Sequence, residues 1–261
     1  MLQAMPDASI GDTFGTAGIV PVRQAFSTDA AAAMRDTIWR RIEAQTPARR
    51  DQPVTWPNVL LPSFKPIKRR GVFRLITESP ALAAALDIVL GPSAWEPTGS
   101  GVQVLFTFPN ADTWILPHHL WHMDVGFGPA VPPTLVKVFC CVDSVAVGRG
   151  GTLALAGSHR MVDRYGASLP DDQRAGNGAS MRKFLDTDPW THELIRTGDE
   201  PSRTRRLMGG THDAAGIELE ILEMTGEPGD AFITDIHTFH CVAPNAADRP
   251  RIMLGTLYRR L

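Results

Sequence analysis

The sequence has few cysteines, no long apolar run and no basic leader. Among its 261 residues only Cys140, Cys141 and Cys241 are cysteines, and they form neither a CxxC motif nor an even set for disulfides. This usage is typical of a reducing compartment, so we expect buried thiols and a cytoplasmic protein. The N-terminal MLQAMPDASIGD has no basic stretch followed by an apolar one, and no window of about 18 apolar residues occurs. We therefore expect neither secretion nor a membrane partner.

An excess of positive charge is also lacking. The formal net charge is -2 and the pI is about 6.4, which argues against a nucleic-acid partner, because phosphates are neutralised by a broad basic surface. The run FKPIKRRGVFR, residues 64 to 74, is locally basic. It is interpreted either as a solvated face or as a contact for an anion or an acyl carrier. With 43% hydrophobic residues, the chain is expected to form one domain over residues 1–261.

Helical patterns are concentrated in the first 100 residues. One predicted helix is capped by Ser27 and carries Met34, Ile38 and Ile42; the other is capped by Ser79, carries Leu82, Leu86 and Val89, and stops at Gly91. From about residue 101 the pattern changes to eight short strand-like runs: GVQVLFTF, HHLWHMD, TLVKVFCCVD, GTLAL, IELEILE, DAFITDI, HTFHCVA and RIMLGTLYR. The sequence thus predicts a mainly β fold with flanking α-helices, a small barrel or jelly roll.

The polar segment from about residue 160 to 216 interrupts these strands and is predicted to be a lid or insertion. Asp188 and Pro189 can begin a short helix within it. The segment also contains four arginines: Arg196, Arg203, Arg205 and Arg206. They are interpreted as solvated surface or, alternatively, as contacts for an anionic substrate.

The run HHLWHMDVGFG, residues 118 to 128, contains three histidines and an aspartate. In an extended chain His122 and Asp124 share one face and can bind one metal ion. Two ligands do not hold a catalytic metal, so a third is needed. Downstream, His237 and His240 are both available to supply it.

Arg251 opens the run RIMLGTLYR and shares a strand face with Met253, Gly255 and Leu257. An unpaired guanidinium in such an apolar interior is costly, so Arg251 needs an anion, and its planar fork suits a carboxylate. Two histidines and one carboxylate occupy one face of an iron octahedron and leave three positions open. This is the geometry of a non-haem oxygenase.

The spacing of these residues resembles that of the phytanoyl-CoA dioxygenase family of Fe(II)/2-oxoglutarate oxygenases. His122-Met123-Asp124 matches the family's first metal motif, and His240 is followed by Asn245 and Arg251 at the family's intervals. GGTLALAGSHR and GIVPVRQAFSTDAAAAMRD also resemble family segments, although Ala156 replaces the usual proline.

The resemblance implies a double-stranded β-helix core at about 101–261, preceded by N-terminal helices at about 1–100. It implies that His122, Asp124 and His240 are the catalytic and metal-binding residues for Fe(II). It also implies that Arg251 binds the distal carboxylate of 2-oxoglutarate, with Gln103 as a second contact, whereas Val242 replaces a serine that some relatives use.

The function implied is hydroxylation of an unactivated C–H bond in a small organic substrate. Dioxygen and 2-oxoglutarate are consumed, and succinate and carbon dioxide are released. Two alternatives stay open: a non-catalytic small-molecule-binding β-barrel, and a zinc hydrolase, which has no role for Arg251. His118 is expected either to support the metal site or contact the substrate, or else to lie at the surface. Trp114 and Trp121 are expected either to pack or to contact the substrate.

Overall fold

The computed structural model describes residues 7–128, 134–198 and 200–261. Residues 1–6 lie outside these ranges, and the expectation that the N-terminus is not a secretion leader rests partly on them. None of the helices within these ranges has the length and apolar character needed to cross a membrane.

Ten antiparallel-paired strands form two sheets in the described residues. The strands are β1 (Ile19–Val22), β2 (Trp95–Pro97), β3 (Gln103–Thr107), β4 (Leu135–Cys141), β5 (Thr152–Ala156), β6 (His212–Asp213), β7 (Glu218–Glu223), β8 (Ala231–Asp235), β9 (His240–Val242) and β10 (Arg251–Arg260). The larger sheet has the order β1-β8-β4-β10-β2, with β3 also paired to β10, and the smaller has the order β6-β7-β5-β9. Because β1 and β2 join the larger sheet, the core draws on the chain before residue 101.

Alternation along the strands divides the apolar side chains between two layers. On β4, Val136 and Val138 belong to a cluster with the N-terminal helices, whereas Phe139 lies in a second cluster between the sheets. On β10, Leu254 points to the helices and Met253 to the space between the sheets. The inward orientation predicted for Met253, and with it the face of Arg251, is therefore confirmed.

Helices cover the outer face of the larger sheet. They are α1 (Asp7–Ala17), α2 (Thr28–Gln45), α3 (Arg74–Thr77) and α4 (Pro80–Leu90). Ser27 accepts a hydrogen bond from the backbone N–H of Ala30, and Ser79 accepts one from that of Leu82, so both predicted caps are confirmed. The sequence interpretation missed α1, in which two glycines interrupt an already weak helical pattern.

The segment from 160 to 216, predicted to be a lid or insertion with a short helix, forms a helical layer on the smaller sheet. It contains most of α5 (Ser158–Ser168), α6 (Gly178–Leu185), α7 (Pro189–Leu194) and α8 (Glu200–Met208). Phe184, Leu194 and Leu207 pack in one cluster with Leu153 and Leu155 of β5. Asp188 caps α7 as predicted, through the backbone N–H groups of Trp190 and Thr191.

Arg203 of α8 is a buried link between this layer and the chain that leads to the metal ligands. It is 1% exposed and donates to the carbonyls of Leu116 and Glu193 at 2.7 and 3.1 Å and to Glu200 Oε2 at 2.9 Å. Neither sequence interpretation holds, because Arg203 is neither solvated nor free to bind a substrate. Arg205 and Arg206 are exposed, as the solvated-surface interpretation predicts.

We expect Arg203→Met to lower the free energy of unfolding by about 3 kcal/mol, because several buried carbonyls and a carboxylate lose their donor. Arg205→Met, on the exposed face of the same helix, should change stability by less than about 0.5 kcal/mol. Urea unfolding of both variants checks the expectation. Equal stabilities of the two variants would contradict it.

Candidate metal centre

The structure brings His122, Asp124 and His240 together, with one potential ligand atom from each lying within 4.8 Å of the others. Nε2 of His122 lies 4.0 Å from Oδ1 of Asp124, and Nε2 of His240 lies 3.7 Å from Oδ2. The side chain of His240 is 9% exposed, whereas those of His122 and Asp124 are 47% and 31% exposed. One face of the cluster is thus buried and the other is open.

The run from 118 to 128 is not a strand, and this part of the sequence interpretation is wrong. Leu120 adopts a positive φ of 67°, which breaks an extended conformation. Only His122 pairs, in an isolated antiparallel bridge to His240 in which each backbone N–H donates to the other's carbonyl, at 3.0 and 2.9 Å. This bridge, rather than strand alternation, brings the two imidazole rings to a centroid distance of 4.4 Å.

The loop is held from outside by the 160–216 layer. Phe127 donates its backbone N–H to Arg174 O at 2.7 Å. A Cβ on Gly126 would lie 2.0 Å from Ala175 O, and one on Gly166 would lie 2.1 Å from Phe127 O, so both close approaches require glycine.

Hydrogen bonds fix the two imidazoles in the form that a metal requires. Nδ1 of His122 lies 2.7 Å from Leu120 O, and Nδ1 of His240 lies 3.1 Å from Thr238 O. Because a carbonyl only accepts, Nδ1 carries the proton in each ring and Nε2 keeps a lone pair. Burial, with the charges of Lys137 and His122, lowers the pKa of His240 to about 4, so the ring is neutral at physiological pH.

Lys137 of β4 is a functional residue that the sequence interpretation missed. Its Nζ lies 2.7 Å from Oδ2 of Asp124, and it is 5% exposed. Burial by itself would raise the pKa of Asp124, but the ammonium of Lys137, with smaller effects from the histidines, holds that pKa below its ordinary value. The signal was present in TLVKVFCCVD, where a single charge lies on the inward face of an apolar strand and therefore needs a counter-ion.

Arg251 and the two histidines line one cavity of about 250 Å³. Arg251 is 3% exposed and donates from one terminal nitrogen to Leu105 O at 2.9 Å, while its Nε has no hydrogen-bond partner among the described residues. Burial lowers its pKa to about 10, which leaves it charged at neutral pH. In the described part of the chain, no carboxylate is within ion-pair distance of this guanidinium.

Gln103, Lys137 and Thr152 lie on the wall of the same cavity. Opposite Gln103 in the β3–β10 register is Gly255, where a Cβ would lie 3.1 Å from Cε of Lys137 and 3.5 Å from Oε1 of Gln103. Thr152 of β5 is the register partner of Val242 in β9. The hydroxyl of Thr152 contacts Sδ of Met253 at 3.9 Å. A sulfur is a weak acceptor, so this hydroxyl can still bind a ligand.

The remaining candidates lie outside the cluster. His237 is buried and its Nδ1 lies 3.0 Å from Oδ1 of Asp163, so it is not directed at the cluster. His118 is half-buried and borders a different cavity of about 280 Å³, which His122 also lines. Trp114 and Trp121 pack against the core of the helical layer, which confirms the packing interpretation.

Comparison with known protein families gives one match that covers most of the chain. Residues 14–253 match the family described as Phytanoyl-CoA dioxygenase (PhyH). The chain belongs to the phytanoyl-CoA dioxygenase family. A comparison with curated proteins finds no match. As a family member, the chain is an Fe- and 2-oxoglutarate-dependent non-haem enzyme.

Solved structures similar to this family member share its fold at low identity. SnoN, described as a non-heme alpha ketoglutarate dependent epimerase from nogalamycin biosynthesis, aligns with a TM-score of 0.60 and 16% identity over 97% of this chain and 83% of that chain. AviO1 from Streptomyces viridochromogenes Tue57 aligns with a TM-score of 0.59 and 19% identity over 99% of this chain and 96% of that chain. EctD from S. alaskensis aligns with a TM-score of 0.56 and 15% identity over 100% of this chain and 79% of that chain. The predicted double-stranded β-helix is confirmed.

The residues of this dioxygenase-family chain fit the cofactors of the family. Nε2 of His240 is buried with no hydrogen-bond partner among the described residues, as expected of an atom reserved for a metal. The unpaired Nε of Arg251 in the same cavity fits an anionic cosubstrate.

Lys137→Met retains the aliphatic stem but removes the ammonium, so we expect the pKa of Asp124 in the metal-free protein to rise. The ordinary pKa of this carboxyl is 3.8, and its lowered value in the folded chain gives a stabilisation that is present above pH 3.8 and lost as the pH falls through the folded-state pKa. The variant should lose this stabilisation. NMR titration of the aspartate carboxyl carbons checks the shift, with Lys183→Met as the control; an unchanged Asp124 titration would contradict it.

Proposed function

We propose that this chain is an Fe(II)/2-oxoglutarate dioxygenase that hydroxylates an unactivated C–H bond of a small organic substrate. The observation that carries the proposal is the buried guanidinium of Arg251, unpaired by any described carboxylate, in the same cavity as His122 and His240. A structural zinc site or a zinc hydrolase has no use for this charge, whereas a dicarboxylate cosubstrate needs it.

In this proposal His122 and His240 bind the metal through Nε2, and Asp124 binds it through one carboxylate oxygen. Three protein ligands leave three positions of an octahedron open, which is the arrangement of the 2-His-1-carboxylate oxygenases. When bound, iron with 2-oxoglutarate and dioxygen supplies the oxidising chemistry, and succinate and carbon dioxide are released.

Other residues of the protein orient the metal ligands and pair with their charges. Leu120 O and Thr238 O hold the two imidazoles through Nδ1, and Lys137 holds Asp124. Arg251 binds the C5 carboxylate of 2-oxoglutarate, assisted by Gln103 and by the hydroxyl of Thr152. This chain has Val242 where some relatives use a serine, and the hydroxyl of Thr152, on the neighbouring strand, replaces the hydroxyl of that serine.

Hydroxylation is the outcome that the ligand set favours. Asp124 supplies a carboxylate where a halogenating enzyme needs an open position for chloride, so an oxygenated product is expected even in concentrated chloride. Phe139 lines the cavity of Arg251, and its ring contacts that of His240 edge-on at 5.5 Å.

The purified chain should bind one Fe(II) and form succinate from 2-oxoglutarate in air. His122→Ala, Asp124→Ala and His240→Ala should each abolish succinate formation and weaken Fe(II) binding, because each removes one of only three protein ligands. His237→Ala and the surface variant His119→Ala should retain one Fe(II). Anaerobic metal titration and succinate assay give the result. Loss of iron in His237→Ala but not in His240→Ala would refute the ligand assignment, and iron binding without any succinate would favour the non-catalytic barrel.

Arg251→Ala should weaken 2-oxoglutarate binding by about 30-fold or more, because losing one partner of a desolvated bidentate pair costs on the order of 2 to 5 kcal/mol. Fe(II) affinity should change little, since Arg251 is not a ligand. Arg251→Lys should recover only part of the affinity, because it keeps the charge and loses the fork. Anaerobic titration of 2-oxoglutarate into each iron-loaded variant measures these effects.

Arg249→Ala is the matched control for this experiment, since Arg249 is exposed in the turn before β10. Near-normal 2-oxoglutarate affinity in Arg251→Ala, or a large loss in Arg249→Ala, would contradict the role of Arg251.

A further inference from the structure

We propose that the substrate of this enzyme is an anion and that its charged group binds Lys65 and Lys68, which line one cavity together with Asp124. The inference rests on the proposed function, because it takes the metal cluster beside this cavity as the reaction centre. It assigns a role to part of the basic run at residues 64–74.

The cavity has a volume of about 500 Å³ and adjoins the metal cluster. Asp124, Lys137 and Gln103 line it, and Lys137 and Gln103 also line the cavity of Arg251. Lys65 and Lys68, in the segment that follows α2, line the same cavity, with Lys65 exposed and Lys68 half-buried. A molecule that fills this space therefore touches the metal cluster and the basic run together.

Positive charge in this cavity is in excess. Three ammonium groups, those of Lys65, Lys68 and Lys137, line it against one carboxylate, Asp124, which the metal and Lys137 already use. Lys65 and Lys68 form no ion pair with any described residue. An anionic ligand would supply the missing negative charge.

The charge excess continues beyond the cavity wall. An adjoining cavity of about 240 Å³ shares Lys68 and Ser100 with the first and adds Arg69, Arg70 and Arg74. Arg74 lies 3.9 Å from Glu78, with both side chains exposed, and Arg69 and Arg70 have no ion pair in the described ranges. The field of these groups attracts anions toward the entrance.

The basic run is a fixed wall rather than a loose solvated loop. Ile67 and Phe73, on either side of Lys68, are 1% and 3% exposed and pack in the core beneath the larger sheet's helices. Lys68 O accepts the backbone N–H of Val102 at 2.9 Å. A Cβ on Gly101 would lie 2.6 Å from the same oxygen, so glycine with a φ of 76° permits this close contact.

Apart from the charged groups, much of the cavity lining is apolar. Phe64, Val102, Val104 and Leu257 line the cavity. The chemistry of the lining therefore suits an amphipathic molecule, with an apolar body beside the metal cluster and an anionic end at Lys65 and Lys68. Phosphate monoesters and carboxylates share this chemistry, because lysine ammonium groups act as point charges that accept either.

The test uses hexyl phosphate, hexanoate and hexanol as probes, titrated anaerobically into the Fe(II)- and 2-oxoglutarate-loaded protein by calorimetry. At least one anion should bind more tightly than hexanol, and its affinity should fall as ionic strength rises. The tighter of the two anions identifies the preferred group. The double variant Lys65→Ala/Lys68→Ala should bind that anion about 10-fold more weakly, which is the size expected for losing two partly exposed charge contacts. Its affinity for hexanol should not change.

Lys183→Ala/Arg205→Ala removes the same charge from exposed positions that line neither cavity and should keep anion affinity within about twofold. The proposal is overturned if hexanol binds as tightly as both anions, if neither anion binds, or if the two double variants weaken anion binding equally. An anion bound directly to the metal or to Arg251 would be insensitive to Lys65→Ala/Lys68→Ala, which also overturns it. Since binding needs no turnover, failure of the oxygenase proposal appears separately, as absence of succinate.

Discussion

The pair of backbone hydrogen bonds between His122 and His240 is the constraint on which the metal cluster depends. One histidine comes from an irregular loop and the other from β9, and only this isolated bridge aligns them. Everything around the loop supports that alignment: Arg203 binds the carbonyl of Leu116, and Phe127 binds the segment at Arg174. The 160–216 layer therefore contacts both the loop and the smaller sheet, and it holds the loop from outside.

The interior of the β-helix contains two buried cations, Lys137 and Arg251. Lys137 is neutralised by Asp124, but Arg251 is buried with only a carbonyl as its described hydrogen-bond partner. Burying such a charge destabilises the fold unless an anion joins it. A cosubstrate that supplies this anion should therefore stabilise the folded chain as well as take part in the reaction. In the same way, a metal ion that binds the unpaired Nε2 of His240 should stabilise the folded chain.

Residue type and spacing in the sequence identify His122, Asp124, His240 and Arg251 as a set, and alternation along β10 correctly orients Arg251. The prediction of an extended chain fails in the loop at residues 118–128, because nothing about a leucine predicts the positive φ that Leu120 adopts. Lys137 and Arg203 are missed for a related reason. Their roles depend on partners from distant parts of the chain, and a charged residue in an otherwise ordinary run does not reveal which distant group will neutralise it. In the helical layer, α7 is predicted from Asp188 and Pro189, but α5, α6 and α8 are missed because their apolar positions are spread among many charged ones.

The two anion sites inferred here differ in the physical basis of their selectivity. Arg251 is buried and presents a planar fork, so it discriminates by geometry and by desolvation, which suits one invariant dicarboxylate. Lys65 and Lys68 are more exposed and present point charges, so they discriminate by charge and tolerate different head groups. Between the sites, Gly255 leaves open the space that a side chain would take from Gln103 and Lys137. A larger residue there would press on Gln103 and Lys137, which line both cavities, and would therefore disturb the cosubstrate site and the substrate site together.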